Sequence, residues 1–178
     1  MQRQPALTLT KLLLLLAVSG VSWQVSAQEP NDAGRFHQQG DRFFQEGKFE
    51  KAAEAYQQAI KLQPNNAKAC AGLGFAYGAL GRFPEATEAF QRAIRLQPNA
   101  PFAYGGLGTS YHMLGRYQES KEAYRQAIRL KPDFAEAHYG LGRTYLMLAD
   151  RVGALEEYNV LKTLDPKSAE QLLQNIPR

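Results

Sequence analysis

Three histidines and one cysteine are the nitrogen and sulfur ligands that this 178-residue chain could offer a metal, and the imidazoles and thiol it could offer to nucleophilic catalysis. His37, His112 and His138 stand far apart. None belongs to an HExxH motif or comparable pair that would put two metal ligands on one helix face. Cys70 has no second thiol, so no internal disulfide can form, and its place in an apolar helical pattern reads as a small buried hydrophobe. His138 falls on a packing position and reads as a satisfied interior or edge imidazole. Gly105-Gly106-Leu107-Gly108 lies inside a helical pattern and does not follow a strand, as a phosphate-cradling loop must. The expectation is a non-enzymatic chain without metal or cofactor, whose chemistry is that of binding.

The elements that must position such a binding surface are set by a period. Pro64, Pro98, Pro132 and Pro166 stand 34 residues apart, and Gly40, Gly74, Gly108 and Gly142 keep the same step. That period is the signature of stacked helical hairpins. The second block shows it well: Cys70, Leu73, Gly74 and Tyr77 recur at i, i+3, i+4 and i+7, one face of a helix. Gly81 then closes that helix in a left-handed conformation, and Pro84 opens the next, where its missing amide costs nothing. Ala86, Phe90, Ala93, Ile94 and Leu96 form the second apolar face, and Pro98 stops it. The small residues have a steric reading: Gly74 and its equivalents lie where two helices press together, opposite Ala52, Ala86 and Ala154. Phe43, Tyr77, Tyr111 and Tyr145 are expected to fill the space beside each glycine, with Tyr56, Phe90, Tyr124 and Tyr158 in the equivalent role on the second helices.

Composition agrees with a folded chain, 44% hydrophobic and 21% charged. Arg3 and Lys11 are the only charges in residues 1–27, so removing both from the 21 basic residues leaves 19 against 17 acids. No basic run remains to follow a phosphate backbone, which speaks against nucleic-acid binding. Arg3 and Lys11, the apolar run Leu12 to Val18, and Val25-Ser26-Ala27 have the layout of a secretory signal peptide cleaved after Ala27. The apolar stretch covers about 12 residues, short of the roughly 20 that span a bilayer. The expected location is therefore periplasmic or extracellular. No cysteine lies near the cleavage site to carry a lipid, and no Asn-X-Ser/Thr triplet occurs.

The expected organisation is a signal peptide over residues 1–27, a linker over 28–32, and four blocks over 33–66, 67–100, 101–134 and 135–168. A capping helix over 169–178 follows. These blocks resemble tetratricopeptide repeats, whose pattern joins Leu-Gly, an aromatic three residues on, then Ala, an aromatic, Ala and Pro. Leu73-Gly74, Tyr77, Ala86, Phe90, Ala93 and Pro98 match throughout; Leu107-Gly108, Tyr111, Tyr124, Ala127 and Pro132 match with Ser120 in place of one alanine. The departures fall at the ends: Gln39 for leucine in the first repeat, and Ala149 for glycine and Leu161 for alanine in the fourth. The resemblance implies an all-α, right-handed solenoid of antiparallel hairpins closed by a capping helix, with Leu172 and Leu173 on that cap.

It also implies a concave face, lined by the first helix of each repeat, that grips a peptide or helix of a partner protein. By register that face carries Gly34, His37, Asp41, Phe44 and Gln45; then Lys68, Ala71, Phe75, Gly78 and Ala79. The third repeat supplies Phe102, Gly105, Thr109, His112 and Met113, and the fourth Glu136, Tyr139, Arg143, Leu146 and Met147. The partner-binding residues expected from these are Phe75, Phe102, Met113, Tyr139 and Met147 as an adaptable apolar floor, Lys68 and Arg143 at the rim, and His112 as a hydrogen-bond donor. Small residues, Gly78, Ala79 and Gly105, would leave room above the floor. The carboxylate clamp of some chaperone-binding members is absent: His37 and Asp41 occupy its first-repeat positions, and Gly78 replaces an asparagine. The expected function is a protein-binding scaffold of the cell envelope or exterior, with no small-molecule substrate. Its rival is a self-assembling structural component. Recurring Glu54, Glu88, Glu122 and Glu156 on the second helices read as a solvated outer face.

Overall fold

The computed structural model describes residues 32–177. The expected signal peptide over residues 1–27, and residues 28–31 of the expected linker, lie outside them. Among the described residues there are nine helices and no strand. They are α1 Asp32–Gln45, α2 Phe49–Leu62, α3 Ala67–Ala79, α4 Phe83–Leu96 and α5 Pro101–Met113. Then come α6 Tyr117–Leu130, α7 Ala135–Met147, α8 Arg151–Leu164 and α9 Pro166–Asn175. Successive helices pack on one another, and each first helix also touches the next first helix, α1 on α3, α3 on α5 and α5 on α7. Among the described residues no such contact joins one second helix to the next. The first helices therefore form the tighter, inner side of a curved stack.

The loops end helices by the chemistry their residues dictate. Gly47, Gly81 and Gly115 close α1, α3 and α5 with φ of 71°, 73° and 72°. Ala149 takes the same left-handed turn after α7 with φ of 57°, where a Cβ is sterically disfavoured. Asn66 caps α3, its side chain accepting from the Ala69 amide at 3.0 Å, and Asp150 caps α8 through the Gly153 amide at 2.9 Å. Pro64, Pro98 and Pro132 lie in the breaks as expected. Pro166 instead opens α9 directly, with Asp165 accepting from the Lys167 and Ser168 amides. The capping helix thus begins three residues before the expected Ala169, because a capping aspartate and a proline at the first helical position favour an immediate restart.

The glycine contacts differ from the expected ones. A Cβ on Gly74 would lie 2.8 Å from the Phe90 ring, one on Gly40 2.6 Å from Tyr56, and one on Gly108 2.8 Å from Tyr124. The same three rings also press the next first helix: Gly72 meets Tyr56 at 2.6 Å, Gly106 meets Phe90 at 2.3 Å, and Gly140 meets Tyr124 at 2.3 Å. Each ring is therefore held between two glycines on consecutive first helices. Tyr77, Tyr111 and Tyr145 do not fill the glycine sites of their own helices. They reach back to the preceding second helix, where Gln57, Gln91 and Arg125 donate to their hydroxyls at 2.7, 2.9 and 2.9 Å. Arg82 and Arg116 lie over the Tyr77 and Tyr111 rings at 4.4 Å. The alanine line holds: Ala52, Ala86 and Ala154 are fully buried, and Ser120 in their row hydrogen-bonds to the Gly108 carbonyl at 2.9 Å.

The fourth repeat closes the core differently. Gly142 faces Leu172 of α9, which would sit 2.4 Å from its Cβ, and Tyr158 is only half-buried. Leu161, the larger residue at this last interface, is fully buried in the cluster that includes Ala169 and Leu172. Arg151 ties the tail down by donating to the Pro177 carbonyl at 2.8 Å.

Two substitutions test this account in one urea-unfolding series. Gly106→Ala drives a methyl into the Phe90 ring and is expected to cost roughly 1–3 kcal/mol or more. Ala149→Gly relieves the left-handed turn and is expected to stabilise by about 1 kcal/mol. A neutral Gly106→Ala would refute the two-glycine cradle.

Candidate functional site

The inner face is built from five register rows repeated along the four first helices. Asp41, Phe75, Thr109 and Arg143 form the row next to the core glycines, each one residue after Gly40, Gly74, Gly108 and Gly142. Three of them answer the aromatic ring below. The Tyr56 hydroxyl donates to Asp41 Oδ1 at 2.7 Å, Phe75 stacks edge-on against Phe90 with centroids 4.9 Å apart, and Thr109 Oγ1 lies 2.9 Å from the Tyr124 hydroxyl. A tyrosine below brings a polar partner and a phenylalanine brings an apolar one, because a buried hydroxyl left unpaired is costly. Burial raises the Tyr124 pKa; burial and the Asp41 hydrogen bond raise that of Tyr56.

Phe75, Phe102, Met113 and Met147 are exposed, with Phe102 and Met147 both 54% accessible. A cavity of about 280 Å³ brings Phe75 and Phe102 together with Gly105, Gly106, Thr109, Tyr124, Phe134 and Glu136. Met113 and Met147 end their helices and do not line it. Tyr139 is half-buried, with the Arg143 guanidinium 5.9 Å from its ring centroid. Lys68 is exposed at the start of α3, in the row it shares with Phe102 and Glu136. Of the small residues, Gly78 leaves open space, whereas Gly105 is buried because the Phe134 ring would meet its Cβ at 2.9 Å.

His112 is placed otherwise than expected. It is half-buried, edge-on to Tyr117 at 5.4 Å, and its Nδ1 lies 3.0 Å from Thr144 Oγ1. Thr144 is fully buried and joins Ser120 Oγ at 3.1 Å and the Gly140 carbonyl at 2.8 Å. Its Nδ1 is thus committed to an inter-repeat polar network. Burial, then the nearby Arg143 charge, lowers its pKa.

Phe134 was not among the expected site residues. Its signal was a large apolar residue directly before α7, where the equivalent positions hold Asn66 and Ala100. Its ring stacks edge-on with Phe102 at 5.1 Å and is buried.

The other titratable pair lies away from the inner face. His138 Nδ1 is 2.6 Å from Glu157 Oε2, and its Nε2 is 2.9 Å from the Pro132 carbonyl, with both side chains largely buried. Two acceptors on two ring nitrogens require two protons, hence an imidazolium. Burial alone would lower the His138 pKa, but the Glu157 carboxylate and the Pro132 carbonyl outweigh it and the net shift is upward. Cys70 is buried in the core, and burial raises its thiol pKa. Among the described residues, no group of three or more His, Cys, Asp or Glu is placed to hold a metal, and no helix is long and apolar enough to cross a membrane.

The His138 geometry gives a pH dependence. Unfolded histidine titrates near ~6.5. A pKa raised by folding contributes stability that is complete below that pH and is lost as pH rises through the folded value. Melting temperature is expected to fall as pH is raised from about 6 to about 8.5, and His138→Gln to flatten that dependence. An equal slope in both proteins would remove the imidazolium from the account.

The sequence matches a family described as TPR repeat over residues 40–81 and 108–148. Two described as tetratricopeptide repeat match over 67–100 and 89–122. No curated protein matches it. Among solved structures, MamA protein is similar with a TM-score of 0.73 and 25% identity, covering 83% of this chain and 84% of that one. The first repeat domain of Spaghetti (RPAP3), bound to the HSP90 peptide SRMEEVD, has a TM-score of 0.66 and 25% identity over 68% of this chain and 96% of that one. The second such domain of human RPAP3, in complex with the HSP70 peptide SGPTIEEVD, has a TM-score of 0.62 and 29% identity over 64% and 94%.

Proposed function

The chain belongs to the tetratricopeptide repeat family, and on that footing we propose that it is a non-enzymatic scaffold that holds a peptide or helix of a partner protein on its concave face. The observation that carries this is the exposure of Phe75, Phe102, Met113 and Met147 on the first helices, the side on which neighbouring repeats come closest. Apolar side chains left in water on a concave, braced surface gain free energy when a partner covers them. The groove is already shaped by the core beneath it, so most conformational freedom lost on binding is the partner's. Related domains that hold chaperone peptides support a protein partner. The envelope or the exterior is the compartment, from the signal-peptide layout of residues 1–27.

The partner is not an acidic chaperone tail. Asp41 stands on the inner face, and Lys68 and Arg143 are separated by two repeats, so among the described residues these cations form no cluster to face a terminal carboxylate.

A second reading, assembly of copies into a structural component, rests on Val152, Val160, Leu164 and Leu173, which are exposed on α8 and α9. Sedimentation at micromolar concentration separates the two: a monomer removes assembly as the primary role.

Replacing Phe75, Tyr139 and Met147 together with alanine is expected to abolish capture of partners from an envelope extract while circular dichroism stays helical. The peptide SRMEEVD is expected not to bind the unaltered protein. Undiminished capture by the triple variant would sink the concave-face reading.

A further inference from the structure

The cavity on the inner face has more structure than a general apolar floor. At about 280 Å³ it lies below the usual size of a small-molecule pocket, and suits one large side chain. Its walls are aromatic and fixed from behind: Phe75 is braced edge-on by buried Phe90, and Phe102 by buried Phe134, while their remaining surface is open to water. At its polar end, Thr109 Oγ1 donates to the Gly105 carbonyl at 3.1 Å and accepts from the Tyr124 hydroxyl at 2.9 Å. Those hydroxyls are satisfied within the protein and demand no polar ligand.

One charged group lines the cavity, Glu136 in the first turn of α7. It is exposed, and among the described residues it makes no ion pair. The cation on the same helix face, Arg143, is two turns away over Tyr139.

The arrangement occurs once along the array. One repeat earlier, the places of Phe75, Phe102 and Phe134 hold Asp41, Lys68 and Ala100; one repeat later they hold Thr109, Glu136 and Ser168, none of them a ring.

Building on the concave-face reading, we infer that the cleft between Phe75, Phe102 and Phe134 receives one large apolar side chain of the partner, and that the adjacent partner residue is basic and pairs with Glu136. An acidic neighbour would meet the Glu136 carboxylate at the mouth of the cleft and be disfavoured by like-charge repulsion. Apolar burial supplies the affinity, and the charge selects the sequence.

The test titrates the ¹⁵N-labelled full-length protein with N-acetyl-Phe-Lys-amide, N-acetyl-Phe-Glu-amide and N-acetyl-Ala-Lys-amide, followed by amide shifts. The Phe-Lys probe is expected to move Gly105, Gly106 and Thr109 and to bind roughly threefold more tightly than Phe-Glu, as for an exposed charge pair. Ala-Lys is expected to leave those amides unmoved. Glu136→Lys, at an exposed position, is expected to invert the Phe-Lys over Phe-Glu preference, and Phe102→Ala to weaken both. Equal binding of the two phenylalanine probes, or a preference indifferent to Glu136→Lys, overturns the proposal. Shifts confined to Met113 and Met147 overturn the cleft while leaving the concave-face reading standing, which falls only to the partner-capture result.

Discussion

A ring gripped between two glycines is the contact on which this array depends. Tyr56, Phe90 and Tyr124 each rise from a second helix into the space where side chains of two consecutive first helices would otherwise stand. Nothing but hydrogen fits at Gly40 and Gly72, at Gly74 and Gly106, or at Gly108 and Gly140 without a displacement of the ring. One side chain thereby joins three helices, two within a repeat and one from the next. Protein interiors are packed too densely to yield elsewhere, so the spacing between repeats is held by the thickness of an aromatic ring. The first helices are drawn together on that ring while the second helices stay apart, and the difference is the curvature that makes an inner face.

The same logic explains how the array stops. After Tyr124 no further glycine pair is available, since Gly142 takes Leu172 of α9 in place of an aromatic and Tyr158 is left half-covered. An aliphatic side chain from a short helix fills one glycine site but offers no ring to a following repeat. Leu161 adds the volume that the missing hairpin would have supplied. His138 and Glu157 replace what is Cys70 with Ala89, and Tyr104 with Ala123, in the two preceding repeats. There the outer side is open as clefts of about 250 and 410 Å³; in the fourth repeat a buried ion pair occupies the corresponding positions.

Much of the fold was legible because it repeats. A 34-residue step in proline and glycine locates hairpins without any knowledge of contacts, and Gly81 and Pro84 mark helix ends by backbone chemistry alone. What periodicity does not carry is which partner a residue meets. Gly74 was readable as a close-approach site, but not as the seat of Phe90, because the ring and the glycine are separated by a turn whose geometry lies outside the pattern. His112 was assigned to the open face by register, yet Thr144 in the next repeat draws it into the core network. Phe134 sat in a break between helices, where period gives no face at all. The inner-face positions Phe75, Phe102, Met113 and Met147 were legible, since exposure follows from register once the stacking direction is known.

Core and inner face are not independent in such a design. Each ring that sets the repeat spacing also touches the residue that follows the core glycine, and that residue faces the groove. Tyr56 calls for Asp41, Phe90 for Phe75, and Tyr124 for Thr109, because a hydroxyl needs a hydrogen-bond partner and a bare ring does not. Exchanging one hydroxyl between tyrosine and phenylalanine in the core therefore changes which groove residues are tolerated above it. Phe75 can be apolar because the ring below it, Phe90, is the one of the three without a hydroxyl. Flanking tyrosines place polar groups on either side of it. The inner face's alternation of acid, ring and hydroxyl is thus a surface image of the order of rings in the core.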